Sequence, residues 1–179
     1  IGKYLGNLTI DHFTSKTILR HASGRCAGIL DDDFDLKTAT DLIISSSMKY
    51  PIGCNSMKAL FATKGSYDKI LESLKNEFEK LDKTTGDPLK SKTRVVYIDS
   101  KLINYMLKKV DELKRVGLIN IVAGGKKISD IQVTPILATT NDAHSEILLN
   151  ETSAYILGLK KCDSFEQCVK EVNEAAGEN

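Results

Sequence analysis

Residues 27–81 read AGILDDDFDLKTATDLIISSSMKYPIGCNSMKALFATKGSYDKILESLKNEFEKL, and the order of apolar patterns within them decides the fold. Ala27–Leu30 is a short apolar run of the kind that forms a buried strand. Asp31, Asp32 and Asp33 follow it, where a helix start favours acids. Phe34, Leu36, Ala39, Leu42 and Ile43 then mark one face of a helix predicted from Phe34 to Met48. The next segment, Tyr50-Pro51-Ile52-Gly53-Cys54-Asn55-Ser56-Met57, is a loop by its proline and glycine. Ala59–Ala62 is a second apolar run. Beyond it Tyr67, Ile70, Leu71, Leu74, Phe78 and Leu81 recur at three and four, predicting an amphipathic helix from Ser66 to Leu81 with Ser66 as its N-cap.

The alternation continues outward. Leu81–Thr93 is polar, carries Gly86-Asp87-Pro88, and reads as an exposed connection. Val95–Ile98, Ile119–Val122, Ile131–Leu137 and Ala154–Leu159 are further strand candidates. Between them Leu102, Tyr105, Met106, Val110 and Leu113 predict a helix over Asp99–Val116, ended by Gly117. Phe165, Cys168, Val169 and Val172 predict a last helix capped by Asp163 or Ser164. Helices alternating with buried strands define an α/β class, a three-layer domain with a largely parallel sheet.

The chain has 179 residues, enough for one domain with a substantial core. Its 25 basic and 24 acidic residues nearly cancel and form no basic block, which argues against nucleic acid as a partner. No apolar run approaches the roughly 20 residues of a membrane span, and no signal-peptide pattern opens the chain. There is neither a G-x-G-x-x-G nor a P-loop, and Gly124-Gly125-Lys126-Lys127 reads as a solvated turn.

Four cysteines occur, Cys26, Cys54, Cys162 and Cys168, and their spacing fits no zinc pattern. Cys162 and Cys168, six apart, do not share a helix face. The set reads as reduced thiols of an intracellular protein, and His12 and His144 have no partners at metal-ligand spacing, so no metal is expected. Cys26 is expected beside the first strand. Cys54 differs by its position in a loop between a helix and a strand, where a scaffold presents reactive groups, and Gly53 permits close substrate approach. A thiol there can attack a carbonyl carbon, with the adjacent N–H and a side-chain amide available to the oxyanion. Cys54 and Asn55 are therefore the candidate catalytic residues. A free loop cysteine is more often a small hydrophobe, so composition alone does not settle the assignment.

From His21 to about Asn173 the pieces fall in an order that resembles the aldehyde dehydrogenase superfamily. Gly28-Ile29-Leu30-Asp31-Asp32-Asp33 is similar to that family's strand-then-acid segment, and Pro51-Ile52-Gly53-Cys54-Asn55 falls at its catalytic cysteine loop. Gly86-Asp87-Pro88-Leu89, Gly124-Gly125 and Val133-Thr134-Pro135-Ile136-Leu137 resemble further family segments. Glu151, ahead of Ala154-Tyr155-Ile156-Leu157, falls at the glutamate of the family's Glu-x-Phe-Gly-Pro segment. Within the superfamily, His21-Ala22-Ser23-Gly24-Arg25-Cys26 and Pro51-Ile52-Gly53-Cys54-Asn55-Ser56-Met57 resemble γ-glutamyl phosphate reductase and the matching half of pyrroline-5-carboxylate synthase.

The resemblance implies an NAD(P)-dependent aldehyde oxidoreductase working through a thiohemiacetal and thioester on Cys54, with Glu151 contacting the nicotinamide ribose. It implies a catalytic domain over 21–179, preceded by an N-terminal remnant or connecting segment over 1–20, with NAD or NADP held through a nucleotide-binding domain that is expected to be missing here, as is the family's oligomerisation tail. The start at Ile1 agrees with an excised domain. A small aldehyde or acyl-phosphate substrate, no membrane partner, a cytoplasmic location and a homo-oligomeric full-length protein complete the expectation. Two departures stand out. Arg20-His21-Ala22-Ser23-Gly24-Arg25 lacks the glutamate that activates the deacylating water, leaving His21 as a replacement base or a loop histidine without a role. Glu151-Thr152-Ser153-Ala154-Tyr155 has lost the usual aromatic. These leave two alternatives, a γ-glutamyl phosphate reductase-type enzyme and a non-catalytic binding or assembly domain.

Overall fold

The computed structural model describes residues 26–48, 55–87, 89, 100–149 and 155–177. Residues 1–25, the expected strand Val95–Ile98, and Cys54 and Glu151 lie outside the described residues.

The elements run β1 (Cys26–Leu30), α1 (Leu36–Met48), β2 (Met57–Thr63), α2 (Lys64–Thr84), α3 (Ser100–Arg115), β3 (Asn120–Ala123), β4 (Lys127–Ser129), β5 (Gln132–Val133), β6 (Ile136–Thr140), α4 (Glu146–Leu149), β7 (Ile156–Cys162) and α5 (Phe165–Gly177). Five strands form one sheet in the order β1-β2-β7-β6-β3, and β4 and β5 form a separate small hairpin. The pairs β1–β2, β2–β7 and β6–β7 are parallel, and only β3 runs antiparallel to its neighbour β6. The sheet is thus largely parallel.

Successive side chains of a strand point to opposite faces, and the two cores follow from that. Leu60 and Ala62 of β2 pack with Ile43 of α1 and with Ile70, Leu74 and Phe78 of α2. Ala59 and Phe61 pack with Ile103, Met106 and Val110 of α3, Ile147 and Leu148 of α4, and Cys168 of α5. Helices cover both faces, giving the three layers. Phe61 and Phe78 are 1% and 0% exposed, so truncating either to alanine costs about 3–5 kcal/mol.

Several details differ from expectation. The cap of α1 is Asp35, whose Oδ1 accepts the Thr38 N–H at 2.7 Å. Asp32 serves the other helix: its carboxylate accepts the Thr63 hydroxyl and lies 2.6 Å from where a Cβ on Gly65 would sit, over the first turn of α2. Ser66 is not an N-cap. It is fully buried within that first turn, and its hydroxyl donates to Thr63 O at 3.1 Å. The expected strand Ile131–Leu137 is split at Thr134-Pro135, because proline has no N–H for the ladder, and Ile131 is left 43% exposed in the hairpin turn. The last helix meets expectation: it is capped by Ser164, whose hydroxyl accepts the Gln167 N–H at 3.2 Å.

Strand β7 runs past Leu159 through two lysines because each charge is matched. Lys160 is 4% exposed and its ammonium meets Glu171 Oε2 at 2.7 Å. On the other face Lys161 lies 5.0 Å from the centre of the Tyr67 ring. Among the described residues no helix is long and apolar enough to cross a membrane.

Candidate active site

The sheet topology brings the described residues that follow the candidate segments to one edge. Parallel strands begin at the same side, so the N-terminal ends of β1, β2, β7 and β6 and the C-terminal end of β3 share it. Cys26 is the Cα partner of Met57, and Ile136 is the partner of Ile156. In β2 and β7, Ala59 pairs with Gly158, so Asn55–Met57 and Tyr155–Ile156 lead into neighbouring strands. Of the candidates, Asn55 is described: it lies exposed in the turn before β2. It follows Cys54 directly, and Tyr155 stands four residues after Glu151. Cys26, half-buried at the start of β1, belongs to the same edge.

The path into β2 is fixed from outside the loop. Ser56 is 3% exposed, and its hydroxyl reaches Ser46 O at 3.2 Å and Ser47 O at 3.4 Å. It thereby ties the strand start to the last turn of α1. Lys58, two residues on, is 2% exposed. Sequence reasoning missed both, since a serine and a lysine beside a loop carry no signal of burial.

The glycine pair also departs from expectation. Gly124 and Gly125 are half-buried with φ of +79° and +83°, a region that glycine enters without a steric penalty. Gly125 N–H donates to Thr134 O at 3.3 Å, Thr134 N–H to Lys126 O at 2.9 Å, and Lys126 N–H to Thr134 Oγ1 at 3.0 Å. The pair is a backbone-to-backbone neck rather than a solvated turn. A cavity of about 280 Å³ lies at the opposite edge, between Gly117, Asn120, Thr140 and Asp142.

The remaining thiols belong to the core. Cys162 closes β7 and Cys168 sits on α5, 1% and 0% exposed. Burial pushes both thiols upward, and they hydrogen-bond to each other. Their separation in sequence says nothing of this contact because one is on a strand and the other on a helix. Among the described residues no three His, Cys, Asp or Glu side chains are grouped to hold a metal. His144 is exposed, and its N–H donates to Asp142 Oδ1 at 2.9 Å.

Three of the described helix starts are closed to the phosphates of a dinucleotide. A seat for such phosphates is a helix N-terminus open to an anion. Here α1 starts at the Asp35 carboxylate, the Asp32 carboxylate fills the first turn of α2, and α5 starts among Asp163 and Glu166.

The described elements thus form a three-layer α/β domain with loop segments gathered at the N-terminal edge of a mostly parallel sheet. Residues 5–177 match the aldehyde dehydrogenase family, and the chain belongs to that family. Membership places it among oxidoreductases at the family level. It is 29% identical over 136 residues to the γ-glutamyl phosphate reductase of Prochlorococcus marinus, a match covering 69% of this chain and 29% of that protein. It is 23% identical over 172 residues to an aldehyde dehydrogenase of Craterostigma plantagineum, covering 95% of this chain and 35% of the other. The solved glyceraldehyde-3-phosphate dehydrogenase of Methanocaldococcus jannaschii, complexed with NADP, superposes with a TM-score of 0.86 at 23% identity over 97% of this chain and 37% of its own. The NAD-dependent benzaldehyde dehydrogenase of Corynebacterium glutamicum gives 0.86 at 16% identity, over 97% and 38%. The chain spans about a third of the length of these relatives.

Proposed function

We propose that this chain is the cysteine-bearing catalytic domain of an NAD(P)-dependent aldehyde oxidoreductase, with Cys54 as nucleophile. One observation carries the reading. In a chain of this family, the described residues that follow Cys54 and Glu151 lead into adjacent parallel strands at the same sheet edge. Strand adjacency supports a shared site for two groups that are 97 residues apart in sequence.

In this reading the Cys54 thiolate attacks the aldehyde carbon, and the carbonyl π pair moves to oxygen as a thiohemiacetal oxyanion. The Cys54 N–H and the Asn55 amide donate to that oxygen. The oxyanion collapses to a thioester as the C–H bond breaks, and the cofactor supplies the hydride acceptor. Attack by water, phosphate or coenzyme A then frees the thiolate. Glu151 would orient the nicotinamide ribose. The site works on small aldehydes, in a reduced cytoplasmic setting and in a homo-oligomer.

A second reading is favoured by a specific match. The chain is 36% identical over 63 residues, 35% of its length, to the γ-glutamyl phosphate reductase of Saccharomyces cerevisiae, and residues 20–25 carry no glutamate to activate water. There the steps run in reverse, from acyl phosphate to aldehyde. Turnover by the full-length enzyme, with and without Cys54→Ser, tests both. A loss on the order of 10³-fold or more is expected for either direction. Unchanged turnover in Cys54→Ser would reject the nucleophile. Comparison of an acyl phosphate with simple aldehydes separates the branches.

A further inference from the structure

Gly124 closes the neck from which the β4–β5 hairpin hangs. A Cβ on Gly124 would lie 1.6 Å from Pro135 O and 2.7 Å from Pro135 C, whereas real Cβ contacts stay beyond 3.0 Å. Any side chain at 124 therefore drives the Pro135 carbonyl away by more than an ångström. That carbonyl belongs to the Pro135–Ile136 peptide, a rigid trans plane whose C=O and N–H point in opposite directions. The Ile136 N–H donates to Tyr155 O at 2.8 Å. A push on the Pro135 oxygen is thus delivered to the Tyr155 carbonyl, at the start of β7. Pro135 and Ile136 are buried, so the peptide has little room to yield sideways. Gly125 makes the contrast. Its φ is also positive, yet its Cβ would meet only Ile136 Cγ1 at 3.5 Å and Cδ1 at 3.6 Å, ordinary van der Waals contacts.

We propose that Gly124 is a positioning residue for the cofactor-facing segment. Its missing side chain sets the place of the Pro135–Ile136 peptide, and through the hydrogen bond to Tyr155 sets where the chain enters β7, four residues after Glu151. The inference rests on the reading of Glu151 as a cofactor contact. Gly124 touches neither substrate nor cofactor.

The test compares wild type, Gly124→Ala, Gly125→Ala and Glu151→Ala in the full-length enzyme. It measures the Kd of NADH and NADPH by calorimetry, the alkylation rate of Cys54 by mass spectrometry, and thermal melting. Both glycine variants melt lower, since alanine is strained at positive φ. Only Gly124→Ala and Glu151→Ala weaken cofactor binding, Gly124→Ala by about tenfold or more, because a misplacement of about 1 Å at a positioned group costs on that order or above. Cys54 alkylation stays within about twofold of wild type in both glycine variants, since neither glycine belongs to its loop. Equal Kd values for Gly124→Ala and Gly125→Ala overturn the positioning role. Wild-type affinity in Glu151→Ala overturns the underlying reading and the role with it. If Gly124→Ala does not fold, Thr134→Val takes its place. It removes the hydroxyl that holds Lys126 N–H at 3.0 Å in the same neck. A two- to threefold weaker Kd, roughly the effect of one neutral hydrogen bond, supports the role, and unchanged affinity overturns it.

Discussion

Replacing Lys160 by methionine keeps the length of the side chain and removes its charge. Lys160 and Glu171 form a 2.7 Å ion pair with the side chains 5% and 14% exposed. Gln167 Nε2 donates to Glu171 Oε1 at 2.8 Å, and the Cys162 thiol lies 3.7 Å from Oε2. Without the ammonium, the carboxylate keeps one good donor in a largely dry site. Breaking a buried pair from one side costs about 3–5 kcal/mol, and the 14% exposure of Glu171 places Lys160→Met near 3. Glu171→Leu strands an ammonium only 5% exposed and costs more, toward 5 kcal/mol. The double variant, with two apolar side chains of similar volume, recovers most of the loss. Denaturant unfolding at about pH 7 and about pH 4 reads all four proteins.

The acid limb gives a second check. Burial alone would raise the Glu171 carboxyl, but the hydrogen bonds from Lys160 and Gln167 more than reverse this and hold it below the usual range. A lowered carboxyl contributes stability that is full above its unfolded value and is lost as pH falls through the folded one. Without Lys160, burial dominates and the carboxyl rises, so the variant regains stability on acidification. The gap between wild type and Lys160→Met is therefore larger at about pH 7 than at about pH 4. Equal gaps at the two values, or a loss under about 1 kcal/mol at pH 7, would refute the reasoning, because the pair would then be behaving as a solvated one.

Three more outcomes are expected. Ser56→Ala removes the bond between the start of β2 and the last turn of α1, and costs about 1 kcal/mol in thermal or denaturant unfolding; a neutral result would mean the loop is held elsewhere. In the native protein Cys162 and Cys168 resist alkylation near neutral pH, because burial raises both thiols, and they react only after denaturant is added. Rapid native labelling at either would contradict their place in the core. Ile70→Ala, at a side chain 0% exposed in α2, costs about 2–5 kcal/mol, whereas Leu42→Ala, at 61% exposure on α1, stays within about 0.5 kcal/mol.

The alternation of periods carried the fold because buried strands and amphipathic helices write different patterns. Tyr67, Ile70, Leu74 and Phe78 mark α2 with helical spacing, and Ala59–Ala62 marks β2 as a run closed on both faces. Boundaries failed where a charge was matched by a distant group. Lys160 and Lys161 end an apolar run in the sequence, yet β7 continues through them because Glu171 and Tyr67 wait on opposite faces. Asp32 reads as part of the nearest helix start and instead serves the helix after the next strand. Local pattern has no means of naming such partners.

The candidate site divides along the same line. A cysteine loop between a helix and a strand is legible, since proline, glycine and a thiol announce it locally. That the residues following it, Asn55–Met57, lead into a strand beside the one that follows Glu151 is not, because it depends on β7 inserting between β2 and β6. Sequence order would set β2 beside a strand formed soon after it, whereas β7 begins nearly a hundred residues later. Insertion makes both segments precede parallel strands in contact, so both open on one edge. The Gly124 neck is tied to that edge by one peptide plane. A change in the hairpin neck can therefore reach the start of β7 without passing through the start of β2, and under the proposed function separate measurements of cofactor affinity and thiol reactivity tell the two apart.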